Sequence, residues 1–393
     1  MQVKKISLTN YRNIDNANID FSDGINILIG ENANGKTNTI EAIYQFAQGK
    51  SFRTKNNGES ISFDKDACDL TLEYISEKTN KINRMNIKLS KDIKEIKEGQ
   101  YKDITNGVRS VKRFSYNGIA LKKTAEFIGN FRAVLFTPDH LGLVKGSPES
   151  RRKFIDMAIS QIRPIYLSYL LDYERVLSQR NHLMRFIKDK SETKENLSQF
   201  YIWTKKLVRY SAIITRYRGE YIERLKEYVP VFYAGLSGGK ENIKLAYISH
   251  VNKNDKEFTD FNNFETCESL YDEVFSQHNR EELAAGSTLY GPHRDDLYIE
   301  IDDKNARNIA SQGQQRSAVL SLKLAEGNIS KISHGEYPVF LFDDILSELD
   351  RNRQDFILKN LSERQVIITC CNSELLKGIN ISKTIEVREG RFN

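Results

Sequence analysis

Residues 25–37 read INILIGENANGKT: an apolar run of strand length, then the spacing GxxxxGKT over 30–37, then a helical pattern from Lys36 to about Gln48. A strand that turns through such a loop into a helix is the setting in which this spacing carries chemistry. Gly30 and Gly35 allow backbone amides to curl around a β-phosphate, with Glu31, Asn32, Ala33 and Asn34 forming the loop and Asn38 following it. Lys36 would reach the β and γ oxygens of ATP, and Thr37 would ligate Mg2+ at the start of the helix, where the dipole favours anions. A glycine-rich turn alone would leave the lysine unexplained.

The partner of that loop is VFLFDD at 339–344, four apolar residues of a buried strand that ends in carboxylates. Asp343 would hold Mg2+ through water, and Asp344 would orient or deprotonate an attacking water. Lys36 and Asp344 are therefore the candidate catalytic residues. Two distant stretches must make one α/β core, joined across whatever lies between.

What lies between changes character twice. Segments VKKISLTNY and NANIDF ahead of the loop are strand-like, and from about 69 to 120 short alternating segments return, with Asn117-Gly118 as a hairpin signal because both turn positions need positive φ. That predicts a β-rich lobe. Further on, Ile162, Tyr166, Tyr169 and Tyr173 repeat at three and four, polar KDKSETKEN occupies 188–196, and a second helical run covers 197–225. The expectation is an antiparallel helical hairpin whose longer arm reaches roughly 45 Å at 1.5 Å per residue. Mixed segments are expected to return near Val229. The domains would then be 1–145 and 230–393 as the two parts of the ATPase head, with 146–229 as a helical arm.

The balance of 59 Lys and Arg against 53 Asp and Glu is only mildly basic, so placement matters more than the total. Residues 145–229 hold 18 Lys and Arg against 10 Asp and Glu, a net of +8 in a chain of net +6. Trp203 and several tyrosines lie among Lys205, Lys206, Arg209, Arg216 and Arg218. Either this is a solvated helix face or it is a grip on phosphate backbone, in which case Lys205, Lys206 and Arg209 are the candidate DNA contacts. Cys68, Cys267, Cys370 and Cys371 fit neither a metal pair nor a disulfide framework. No apolar stretch approaches the ~18 residues of a membrane span, and no signal-peptide core opens the chain. A cytoplasmic protein without membrane contact is expected.

SQGQQR at 311–316 precedes a helix about thirty residues upstream of the aspartate strand, and SELD at 347–350 follows that strand. This order resembles the ATP-binding cassette ATPases of the SMC type, with SQGQ in the place of their signature. LTNYRN, GENANGKTN, KSFRT, FTPDHLGLVKGSPESRRKFID, LSQRNHL, GPHRDDL, SQGQQRSAVLSLKLAE and LFDDILSELD, in that order over essentially the whole chain, resemble the RecF family. The resemblance implies an α/β SMC-like P-loop ATPase head with a β-rich lobe and an α-helical arm insert. It implies a homodimer formed on ATP binding, which binds duplex and single-strand/double-strand junction DNA and helps RecO and RecR load RecA. On this chain it places Ser311, Gly313 and Gln314 against the γ-phosphate of ATP held by a facing copy, and Asp350 at the dimer seam. Arg12 becomes a nucleotide contact and Arg53 another candidate; Arg294 receives no role.

The chain also departs from the wider superfamily. The glutamine loop has no clear counterpart, Asp139 being the nearest polar candidate. In place of the histidine after the last core strand stand Thr369, Cys370, Cys371 and Asn372. With Asp344 in the catalytic position, hydrolysis should be slow. A transporter subunit would need a membrane-coupling surface and a less basic insert, and a purely architectural tether would need far longer arms. An SMC-like ATPase of another DNA-maintenance or defence system is the alternative.

Overall fold

The computed structural model describes the chain apart from residues 55, 92–100, 106–107, 190–191, 252–262, 347–348 and 372–379. Ser347 and Glu348 of SELD, and Asn372, therefore lie outside the described residues. Four apolar runs form the parallel centre of one sheet: β3 (Ile25–Ile29), β9 (Ala133–Phe136), β13 (Val339–Asp343) and β14 (Val366–Cys370). Their near-continuous burial is what strands covered on both faces require. β15 (Ile381–Arg388) joins in parallel and β16 (Arg391–Phe392) pairs antiparallel at the edge, giving the order β16-β15-β3-β14-β13-β9. The short apolar run AVLF at 133–136 is thus a core strand beside β13.

β1 (Gln2–Tyr11) and β2 (Ile14–Asp20) stay out of that sheet. Their alternating burial suits a sheet with one wet face, and they pair with β4 (Ala67–Ser76), β5 (Lys81–Ser90), β6 (Tyr101–Thr105), β7 (Val108–Tyr116) and β8 (Ile119–Leu121) in a seven-stranded antiparallel sheet. The hairpin signal holds: Asn117 and Gly118 have φ of 48° and 83°, and Tyr116 pairs with Ile119. α1 (Lys36–Gln48) buries Ile40, Ile43, Tyr44 and Phe46 and ends at Gly49, whose N–H bonds the Gln45 carbonyl from a left-handed conformation. With α2 (Thr124–Phe127), α10 (Arg351–Asn360) and the latter part of α9 (Gln312–His334), these elements form a compact unit of Met1–His140 and Leu322–Asn393.

The second compact unit is Leu141–Ser321. It holds α3 (Gly142–Lys145), α4 (Pro148–Ile162), α5 (Pro164–Asp189), α6 (Lys194–Ser237), α7 (Phe264–Ala285) and α8 (Ala306–Ile309). The antiparallel sheet of β10 (Ile243–Ile248), β11 (Asp296–Ile301) and β12 (Lys304–Asn305) belongs to it as well. α5 and α6 pair as the expected hairpin, but α6 does not stop near Val229. It continues through Pro230 to a left-handed Gly238, so its 44 residues span about 66 Å rather than 45. Proline removes one helical hydrogen bond, yet Val229, Tyr233 and Leu236 remain buried on one face, and that burial holds the last turns in place. Residues 230–321 group with the helices rather than with the C-terminal strands, because α7 and β10 both pack along α6.

Charged groups cross-link the interior of this second unit. Arg180 and Glu282, both fully buried, meet at 2.6 Å, and Arg180 also donates to Thr204 and Thr288. Arg218 grips both oxygens of Asp156 at 2.8 Å, and Arg151 meets Asp296 at 2.7 Å. Arg218, which the charge count placed in the candidate basic face, is therefore an interior residue. Among the described residues no helix is long and apolar enough to cross a membrane.

Candidate functional site

The parallel sheet brings three strand ends together. β14 lies between β3 and β13, so the loop after β3, the hydroxyl of Thr369 and the carboxylates of Asp343 and Asp344 converge where open α/β sheets bind ligands. Gly30 is required there: a Cβ at this position would sit 2.2 Å from the Val387 carbonyl oxygen of β15. Gly35 has φ 111° and Ala33 φ 67°, so the loop curls through the left-handed region twice before α1 begins. Asn13 braces it by donating to the Ala33 carbonyl at 2.9 Å, Asn38 donates to the Asn13 side chain at 2.7 Å, and Asn34 reaches the Val387 carbonyl. Glu31, Asn32 and Ala33 are exposed at its rim.

Lys36 is almost wholly buried. Its ammonium donates to the carbonyls of Gly30 at 2.5 Å and Glu31 at 2.8 Å and lies 3.6 Å from Cys371 Sγ. Folded into its own loop, the lysine is poised over the concavity in which phosphate oxygens would replace those carbonyls. Thr37 Oγ1 donates to Asp343 Oδ1 at 2.8 Å, and Thr369 Oγ1 donates to the same oxygen at 2.9 Å. Burial pushes the Asp343 carboxyl up from its ordinary range; the two hydroxyls pull it down, and neighbouring Asp344 pushes it up again. A buried carboxylate beside a threonine hydroxyl is the donor set that a hard divalent cation takes, so the residues fit Mg2+. Asp344 has φ 52°, and its N–H donates to Thr369 Oγ1 at 3.0 Å, which holds a conformation a non-glycine residue seldom adopts.

Thr369, which the sequence offered only as one of four residues in place of a histidine, is thus a site residue, and its one hydroxyl engages both aspartates. Glu41 is another. Fully buried on α1, it takes Arg12 in a bidentate pair at 2.6 and 3.2 Å, accepts from Ser51, and lies 3.5 Å from Arg53. Arg12, itself at φ 55°, also donates to the Glu59 carbonyl, and Arg53 donates to Asn38 at 2.7 Å. The two arginines are fixed beside the loop by one carboxylate. A glutamate inside an apolar helix face was the available signal. Asp139 is exposed in a turn after β9.

Ser311, Gly313 and Gln314 belong to the other unit, at the start of α9. Ser311 is exposed and forms a reciprocal cap: Gln314 N–H donates to Ser311 Oγ at 3.2 Å, and Ser311 N–H donates to Gln314 Oε1 at 2.8 Å. The buried Gln315 donates to the Ala310 carbonyl at 2.6 Å. Both glutamines brace the loop and leave the serine and the first amides of the helix facing outward. Asp350 caps α10 by accepting from Arg353 N–H at 3.0 Å. Lys205, Lys206 and Arg209 are exposed on α6, with the Lys206 ammonium 4.8 Å from the Trp203 ring, whereas Arg216 is paired with Glu220. Arg294 is exposed on a turn whose neighbours are committed to the interior. Asp295, fully buried, accepts from Tyr247 at 2.6 Å, Ser249 at 3.0 Å and the His250 N–H at 3.1 Å.

Comparison with known proteins agrees with this geometry. The family model of the RecF/RecN/SMC N-terminal domain matches residues 2–392. The DNA replication and repair protein RecF of Bacillus mycoides is 36% identical over 99% of this chain and 98% of its own, and that of Bacillus cytotoxicus is 35% identical over the same shares. A solved structure of the recombination mediator protein RecF-ATP in the RecFOR pathway superposes with TM-score 0.86 at 30% identity, covering 100% of this chain and 97% of that one. An SMC head domain from Pyrococcus furiosus, at 17% identity and TM-score 0.54, shares the fold.

Proposed function

The chain belongs to the RecF family of DNA replication and repair proteins, and from that membership we propose that it is an ATP-operated DNA clamp of recombinational repair. The observation that carries the reading is the convergence of Lys36, Thr37, Asp343, Asp344 and Thr369 at three adjacent strand ends. Lys36 and the amides of 30–38 would bind the phosphates of ATP, with Arg12 and Arg53 flanking them, and Thr37 and Asp343 would hold Mg2+. When bound, the metal nucleotide supplies the cleavable phosphate and the positive charge that offsets the paired aspartates. Asp344, with its backbone fixed by Thr369, would orient the attacking water. An aspartate is a short reach for that task, so turnover is expected to be slow; a rate on the order of 10 per second without a partner would contradict this.

Ser311, Gly313 and the start of α9 would meet nucleotide held by a second copy, so that two ATP molecules join two chains. The basic face of α6, with Lys205, Lys206 and Arg209, would then close on duplex beside a single-strand gap, and hydrolysis would release it. RecR and RecO are the expected protein partners, and loading of RecA the outcome. Molecular mass in solution tests the core of this reading. ATP is expected to double the mass and gapped DNA to stabilise the doubled form, whereas a monomer under every condition refutes it.

A further inference from the structure

One carboxylate links the long helix to the exposed serine. Tyr233, fully buried near the end of α6, donates its hydroxyl to Glu241 Oε2 at 2.7 Å. The Gln314 side-chain amide donates to the other oxygen, Glu241 Oε1, at 2.9 Å. Gln314 in turn holds Ser311 through the reciprocal cap. The bonds run in series from Tyr233 through Glu241 and Gln314 to Ser311, so the Ser311 loop is tied to α6. The same helix carries Lys205, Lys206 and Arg209, about 40 Å from Tyr233 at 1.5 Å per residue.

We propose that Glu241 is a positioning residue that fixes the Ser311 loop for nucleotide on a second copy and couples that loop to the state of α6. The proposal rests on the reading of Ser311 as a contact made in trans. Without the carboxylate, the Gln314 amide loses its acceptor, its carbonyl is free to turn from the Ser311 N–H, and the cap opens. A polyanion held along α6 would bias the same chain of bonds. Because coupling between two binding equilibria is reciprocal, DNA would then strengthen nucleotide-dependent pairing and pairing would strengthen DNA binding.

The test uses the full chain with Glu241→Ala, Glu241→Gln, Tyr233→Phe and Ser311→Arg. Three quantities are read: nucleotide binding by dilute protein, ATP-dependent self-association by sedimentation, and the shift of that association on adding a duplex oligonucleotide. Glu241→Ala is expected to leave nucleotide binding unchanged, to weaken self-association about tenfold, the size of one charge-assisted hydrogen bond, and to abolish the DNA-dependent shift. Glu241→Gln is expected to restore both, since an amide can accept from Gln314 and donate to the tyrosine oxygen. If Glu241→Ala folds poorly, Tyr233→Phe removes only a hydroxyl and is expected to reduce the DNA-dependent shift by itself. Wild-type association and shift in Glu241→Ala and Tyr233→Phe, with Ser311→Arg unable to pair, would overturn the proposal alone. Pairing by Ser311→Arg would sink the reading beneath it.

Discussion

Two buried aspartates, one in each compact unit, show how differently the same chemistry can be employed. Burial pushes both Asp343 and Asp295 above the ordinary carboxylate range. Asp295 is enclosed by Tyr247, Ser249, the His250 amide and the nearby charge of Arg218, so its needs are met inside the fold. Asp343 receives two hydroxyls, lies beside Asp344 and feels the charge of Arg53, and in the proposed function it would also hold Mg2+. Asp295 serves the interior of its unit, and Asp343 stands at the strand ends where the proposed ligand would lie.

The comparison breaks most sharply at Lys36. Lys36→Met should lower nucleotide affinity about 100-fold or more, as expected for loss of a phosphate-binding charge, while the melting temperature changes little; titration with a fluorescent nucleotide reads the first and calorimetry the second. The second unit should respond in the opposite sense. Glu282→Gln leaves Arg180 buried without its counter-charge and should cost about 3 to 5 kcal/mol of stability, with nucleotide affinity retained in the folded fraction.

Asp343 offers a pH test. Its carboxyl titrates above its unfolded value, so the stability linked to that proton is full below the unfolded pKa and is lost as pH rises through the folded pKa. Asp343→Asn should therefore raise the melting temperature of the metal-free protein at neutral pH while abolishing the stabilisation that Mg2+ with ATP adds. Asp295→Asn should instead lower it, because the amide no longer offers a negative charge to the buried Arg218. Equal behaviour of the two variants would erase the distinction drawn here. The smallest effect belongs to the arm. Exchanging Lys205, Lys206 and Arg209 for alanine should weaken DNA binding and reduce the salt slope by up to about 3, in line with roughly 0.9 per lost phosphate contact.

The phosphate loop and the aspartate strand were legible because each is a contiguous run whose chemistry depends on spacing along one strand, loop or helix. The hairpin at Asn117-Gly118 was legible for the same reason. The end of α6 was not: proline and a polar stretch argue locally for a stop, and burial of Val229, Tyr233 and Leu236 outweighs them. Nor was the fate of Arg218, since a count of basic residues does not separate a surface charge from one that grips Asp156.

From sequence alone came the class of fold and the loop and aspartate strand that meet in one sheet, both contiguous runs set by short-range covalent spacing; the serine loop was singled out by family resemblance. Only the tertiary structure chose Thr369 to hold both aspartates, Glu41 to hold two arginines, and Glu241 to tie α6 to Ser311. Those three partnerships join segments far apart in the chain, and which hydroxyl or carboxylate meets which charge is determined by the packing of strands and helices around them.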